Sequence, residues 1–97
     1  MGTITWTDEA ERWLEDIFEY IAIDDSIAAS RVVNDIYERA QVLKAHPEIG
    51  YRYQASTRKV RILLYGHYRI TNLVKNNKDV EILGVFHGAL DISKYSI

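Results

Sequence analysis

The sequence contains no cysteine, which excludes disulfides and thiolate metal sites. It has no apolar run long enough to cross a bilayer, and no basic segment followed by an apolar one at its start. Its three histidines, His46, His67 and His87, lack the paired spacing of metal ligands. We therefore expect no metal, no cofactor, no membrane association and a cytoplasmic protein with one domain over residues 1–97.

The net charge is small, −2, but the charged residues are unevenly divided along the chain. Residues 1–50 hold eleven Asp or Glu and four Lys or Arg, whereas residues 51–97 hold three acidic and eight basic residues. A solvated acidic half balanced by a basic half explains this as well as a functional basic face does.

Two amphipathic helices are predicted in the acidic half. Thr7 is a plausible N-cap of the first. Asp24-Asp25-Ser26 ends this helix and can cap the second, which Pro47 closes. The short break indicates an antiparallel helical hairpin. The apolar stripes are Ala10, Trp13, Leu14, Ile17, Phe18 and Ile21, then Ala29, Val32, Val33, Ile36, Ala40 and Leu43.

Strands are predicted before and after this hairpin. A short strand ends at Trp6, and after a connector over Tyr51–Lys59 come Val60–Tyr65, Tyr68–Val74 and a strand from Val80 to His87. The order β-α-α-β-β-β indicates an α+β fold, with the hairpin packed on one face of an antiparallel sheet.

Alternation along the last three strands separates two sheet faces. The face assigned to the helices holds Val60, Ile62, Leu64, Tyr68, Ile70, Val74, Val80, Ile82 and Phe86. The other face keeps Leu63, Leu73, Leu83 and Val85, and so many aliphatics indicate that a partner covers it. This assignment requires a loop of odd length around Gly66-His67, since a slip of one residue exchanges the faces.

Four polar residues on the predicted strands and just after the last one are candidates for binding a target. Arg61 and Arg69 suit phosphate or acidic-partner contacts, although solvated strand charges would look the same. His87 and Asp91 stand where the last strand meets a loop. A lone histidine there is more often a structural hydrogen-bonding group, and Asp91 would cap the tail or orient His87.

The whole pattern resembles the RelE/ParE toxin superfamily, the toxin halves of bacterial type II toxin–antitoxin modules, also called plasmid stabilisation proteins. The resemblance covers Trp6 to Tyr95. It is carried by an acidic hairpin ending in Pro-x-x-Gly, by Tyr-Arg-Ile in an arginine-bearing strand pair, and by a final His-x-x-x-Asp. It implies a toxin held inactive in a hetero-oligomer with a small antitoxin, which would cover Leu63, Leu73, Leu83 and Val85.

The superfamily divides by target. RelE-like members cleave mRNA in the ribosome, and Lys59, Arg61, Arg69 and Tyr95 fall at positions similar to four of their catalytic residues. His87 matches a histidine that YoeB-type ribonucleases carry near the C-terminus. The arginine that RelE-like enzymes carry after the last strand is missing, with Gly88-Ala89-Leu90 in its place, and Glu48, the nearest glutamate to a YoeB-type base, lies in the wrong turn. ParE-like members bind and poison DNA gyrase, and Phe86–Asp91 is most similar to their last strand.

The resemblance and the low pI of about 5.9 favour a ParE-like gyrase inhibitor that is not an enzyme and binds its target through Arg61, Arg69, His87 and Asp91. The alternatives are a ribosome-dependent endoribonuclease and a non-toxic binding module of the same fold.

Overall fold

A computed structural model describes residues 2–88 and residue 94, and it shows two helices packed on a five-stranded sheet. The strands lie in the order β1-β5-β4-β3-β2; β1 runs parallel to β5, and all other neighbours are antiparallel. The predicted α+β fold is therefore confirmed. The elements are β1 (Ile4–Trp6), α1 (Asp8–Ala22), α2 (Ser26–Ala40), a 3₁₀ turn (Gln41–Lys44), β2 (Tyr51–Arg52), β3 (Val60–Tyr65), β4 (Tyr68–Val74) and β5 (Val80–His87).

Both helices of the hairpin begin at predicted capping residues, α1 after Thr7 and α2 after Asp25. Thr7 Oγ1 accepts a hydrogen bond from Ala10 N at 3.1 Å and donates one to Ile82 O at 2.8 Å, so it also ties α1 to β5. Asp25 Oδ1 accepts from the amides of Ile27 and Ala28, both at 3.0 Å, and starts α2. These bonds satisfy amides that a helix N-terminus otherwise leaves unpaired.

The core lies between the hairpin and one face of the sheet. Its helical side is built from small and aliphatic residues with little or no exposure, and its sheet side from aliphatics of β3, β4 and β5. Burying these side chains is the main stabilising contribution of the fold. The members are Ala10, Leu14, Ile36, Ala40, Leu43, Leu63, Ile70, Val74, Val80, Ile82 and Val85.

The predicted face of β3 is wrong. The loop Gly66-His67 has two residues and Tyr65 pairs directly with Tyr68, so the odd-length loop that the assignment required is absent. Leu63 consequently pairs with Ile70 and points into the helix-covered core, where it is only 3% exposed. Leu64, placed in the core by the sequence, is 52% exposed.

A β-bulge reverses the alternation within β5. Thr71 pairs with Gly84 and Asn72 with Ile82, which leaves Leu83 as the additional residue. Val85 therefore shares a face with Ile82 and is fully buried in the core, while Phe86 moves to the opposite face.

The predicted open apolar face is corrected by these two changes. Leu63 and Val85 are 3% and 0% exposed and belong to the core beneath the helices, whereas Leu73 and Leu83 are half-buried on the other side. That second side is itself packed: Ile62 and Phe86 form a small buried cluster with Trp13 and Tyr53.

Candidate binding sites

The predicted target-binding and catalytic residues divide between two ends of the sheet. Arg61 pairs with Asn72, which pairs with Ile82, while His87 lies five residues further along β5 and pairs with Tyr68. At about 3.3 Å per strand residue, this separates Arg61 from His87 by roughly 15 Å along the strands, and the two strand spacings from β3 to β5 add about 10 Å sideways. Lys59 precedes Arg61 on the same strand, so it belongs to the Arg61 end.

The His87 end does not gather its polar side chains on one face. Arg69 pairs with Phe86 and so lies on the opposite face of the sheet from His87. Its Nη2 donates a hydrogen bond to Gly88 O at 2.8 Å. The His87 ring lies 6.1 Å from the stacked ring of His67 and 5.7 Å from the edge-on ring of Tyr68. Asp91 and Tyr95 lie outside the described residues.

Ribonuclease chemistry requires a base, a phosphate clamp and an acid around one reacting bond. Within residues 2–88, Lys59 and Arg61 are remote from His87, and Arg69 faces away from it. The described part of the chain therefore does not assemble the predicted catalytic set at one place.

A pocket of about 200 Å³ at the Arg61 end contains most of the positive charge of the sheet. We call it the cationic pocket. It forms where β2, the start of β3 and the β4–β5 turn approach the turn before β2. Its lining residues are Glu48, Arg52, Lys59, Arg61, Val74, Lys75, Asn76 and Lys78.

Arg61 is held firmly in the cationic pocket. Its Nη1 donates to Gly50 O at 2.6 Å and to Glu48 O at 3.1 Å, and its Nη2 lies 3.6 Å from Glu48 Oε2. Glu48 Oε1 also accepts from Lys78 Nζ at 2.6 Å. The hydrogen bond and charge of Lys78, together with the charge of Arg61, hold the pKa of Glu48 below its ordinary value of 4.5.

Sequence reasoning proposed Lys59 and Arg61 but missed Arg52, Lys75, Lys78 and the location of Glu48. The excess of basic residues in the second half of the chain was the available signal. It could not group these side chains, because they come from three separate turns and strands that only the sheet register brings together.

A second site is a groove of about 500 Å³ between α1 and the His87 end of the sheet. The hairpin tip beyond Ile21 carries further apolar side chains, since Tyr20, Ile23 and Ile27 are 79%, 82% and 72% exposed. We call this combined surface the apolar groove. Its lining residues are Trp13, Asp16, Ile17, Tyr20, Ile21, Tyr68, Val85 and His87.

The described residues include no helix that is long and apolar enough to cross a membrane. Residues 2–88 and 94 also hold no group of three or more His, Asp or Glu that could bind a metal ion. The described residues form a small α+β protein with two candidate binding sites, the cationic pocket and the apolar groove. The polar residues predicted to act on a target are spread over the sheet.

The chain belongs to the ParE toxin family of type II toxin–antitoxin (parDE) systems, whose family model matches residues 4–92. Its fold is similar to a solved chain described as the chromosomal ParDE TA system from P. aeruginosa. The TM-score is 0.75 at 24% identity, with 90% of this chain and 96% of that chain covered. Comparison with curated proteins found no match.

Proposed function

We propose that this toxin binds and inhibits DNA gyrase in the cytoplasm and that a cognate antitoxin neutralises it. The observation that carries the proposal is the ParE family match over nearly the whole chain, because ParE-like members are the gyrase-directed branch of the superfamily. The separation of Arg61 from His87 supports the same choice, since a gyrase inhibitor needs a binding surface and no convergent acid–base pair.

The described target-binding residues of this proposal lie at the His87 end of the sheet. Arg69 and His87 are both placed there, on opposite faces, and Asp91 follows His87 by four residues in the sequence. Arg61 belongs to the cationic pocket and positions the turn before β2, so we assign it a different role from the other three.

The antitoxin contact is assigned to the apolar groove and not to the sheet face predicted from the sequence. Ile23 and Ile27 are large aliphatics in water, an arrangement typical of interaction surfaces when they are contiguous. The surrounding half of the chain is acidic, with eleven Asp or Glu against four Lys or Arg. The fitting occupant is an antitoxin segment with an apolar stripe flanked by basic residues.

The first experiment is a gyrase assay with the purified chain that records supercoiling and trapped cleaved DNA together. We expect loss of supercoiling with trapped DNA, reversed by the cognate antitoxin. Unchanged supercoiling at saturating protein would contradict the proposal. Cleaved mRNA on treated ribosomes would then identify a ribonuclease, and harmless expression without antitoxin would identify a non-toxic binding module.

A pair of histidine variants localises the gyrase contact. His87→Ala should weaken inhibition, whereas His46→Ala, which alters an exposed histidine outside both sites, should leave it unchanged. Equal inhibition by the two variants would remove His87 from the target-binding surface.

A further inference from the structure

The cationic pocket concentrates charge outside the surfaces assigned above to gyrase and to the antitoxin. It contains five of the eight basic residues of the second half of the chain: Arg52, Lys59, Arg61, Lys75 and Lys78. We propose that this pocket binds the phosphodiester backbone of nucleic acid without reading its sequence. The proposal concerns the chain alone and does not depend on gyrase being the target.

Much of this charge is held in place by neutral groups. Arg52 Nη2 donates to Arg58 O at 3.1 Å, and Lys59 Nζ donates to Asn76 Oδ1 at 3.1 Å. Arg61 Nη1 is bonded to the carbonyls of Gly50 and Glu48. Carbonyl and amide oxygens orient a cationic side chain without cancelling its charge, so the pocket is prepared for an anion.

The acidic residues at the pocket compensate only part of the charge. Among the described residues that line it, Glu48 is the only carboxylate, with oxygens 2.6 Å from Lys78 and 3.6 Å from Arg61. Glu81 lies 3.3 Å from Lys75 at its border. Asp79, next to Lys78 in the chain, also interacts electrostatically with Lys75. Five cations therefore share three carboxylates, and Glu48 occupies the donors that a phosphate oxygen would use.

The lining favours a nucleic-acid backbone over an acidic protein segment. Among the described residues that line the pocket, Val74 is the one aliphatic side chain and there is no aromatic ring. Interface cores between proteins are rich in aromatic residues and depleted of lysine, whereas lysine and arginine dominate phosphate contacts. Without a ring for a base to stack on, contact is confined to the backbone, which makes binding independent of sequence.

The test is a fluorescence-anisotropy titration of the full chain against a short labelled DNA duplex, repeated between about 50 and about 200 mM salt. The pocket variant is Lys59→Gln/Lys75→Gln. The control, Arg31→Gln/Lys44→Gln, removes the same charge from exposed positions outside the pocket. We expect roughly tenfold weaker binding for the pocket variant and little change for the control. The slope of the logarithm of the binding constant against the logarithm of the salt concentration should become shallower by about one to two in the pocket variant.

A third variant tests the role of Glu48 independently of these lysines. Glu48→Gln keeps the carbonyl that Arg61 binds but removes the competing carboxylate, so we expect severalfold tighter binding to the duplex. A parallel titration against single-stranded RNA of equal length compares the affinities for DNA and RNA. Binding to either polymer supports the proposal.

Three results would overturn the proposal: no binding by the unaltered chain at the lower salt concentration, equal losses for the pocket and control variants, or preferential binding of polyglutamate over the duplex. The last result would identify an acidic protein partner. Because the titration contains no gyrase, a failure here leaves the gyrase assay unaffected, and the reverse also holds.

Discussion

Arg61 fastens the turn before β2 to the sheet through Gly50, whose carbonyl accepts a hydrogen bond from Arg61 Nη1 at 2.6 Å. A second bond to Glu48 O and a 3.6 Å approach to the Glu48 carboxylate complete the attachment. A cation that positions the backbone in this way has a structural role whatever else it binds.

We expect Arg61→Gln to lower the free energy of unfolding by about 1–2 kcal/mol, because two backbone carbonyls lose a charged donor. Urea unfolding followed by tryptophan fluorescence measures the loss. Arg52→Gln removes a single bond to an exposed carbonyl and should cost less than about 0.5 kcal/mol. Equal losses would show that Arg61 does not hold the turn.

Two glycines are expected to resist substitution to different extents. A Cβ on Gly50 would lie 2.6 Å from the carbonyl oxygen of Ile62, and the backbone would have to move. A Cβ on Gly84 would meet the Phe86 ring at 3.0 Å and the Trp13 ring at 3.3 Å, and side chains yield more easily. We expect losses of about 3 kcal/mol for Gly50→Ala and about 1 kcal/mol for Gly84→Ala. The reverse order in urea unfolding would contradict this reasoning.

The helical hairpin could be predicted from the sequence because its determinants are local. Thr7 and Asp25 cap the helices through residues two or three positions away. The second helix ends at Ala40, before the predicted stop at Pro47, because a 3₁₀ turn takes over.

The sheet faces could not be predicted because they depend on the number of residues in one loop and on one extra residue in a strand. Pairing of Tyr65 with Tyr68 fixes the loop at two residues, and the bulge at Leu83 shifts the second half of β5. The loop length places the side chains of β3 on the faces opposite to those predicted, and the bulge does the same for the second half of β5. Neither change leaves a distinct signal in hydrophobic alternation. The two-residue strand β2 was missed for a similar reason, since so short a segment shows no alternation.

The sites were less predictable than the fold. The family resemblance was confirmed, but the residues that line the cationic pocket are up to 30 positions apart in the chain, as Glu48 and Lys78 are. The hairpin-tip part of the apolar groove escaped notice because Ile23 and Ile27 fall at the helix ends and outside the two predicted stripes. Trp13, Ile17 and Ile21 of the groove were predicted as core residues of the first stripe.

The pairing of Glu48 with Lys78 should be visible in a pH titration. The pKa of Glu48 is lowered in the folded chain, so its favourable contribution is present above its ordinary value of 4.5 and is lost as the pH falls through the lower folded value. We expect NMR titration of the Glu48 carboxyl to give a pKa below 4.5, and Lys78→Gln to raise it. Lys44→Gln should not change it, and an unshifted pKa in the unaltered chain would contradict the observed pairing.

The hairpin tip offers the sharpest test of antitoxin binding. Ile23→Asp and Ile27→Asp each place a charge on an exposed apolar side chain, so neither should disturb folding, and each should weaken antitoxin binding at least roughly tenfold. Leu64→Asp is the matched control, because Leu64 is 52% exposed on the opposite side of the sheet. Calorimetric titration with the purified antitoxin measures affinity, and circular dichroism confirms folding. Full affinity in both isoleucine variants, with a loss in Leu64→Asp, would place the antitoxin on the other sheet face.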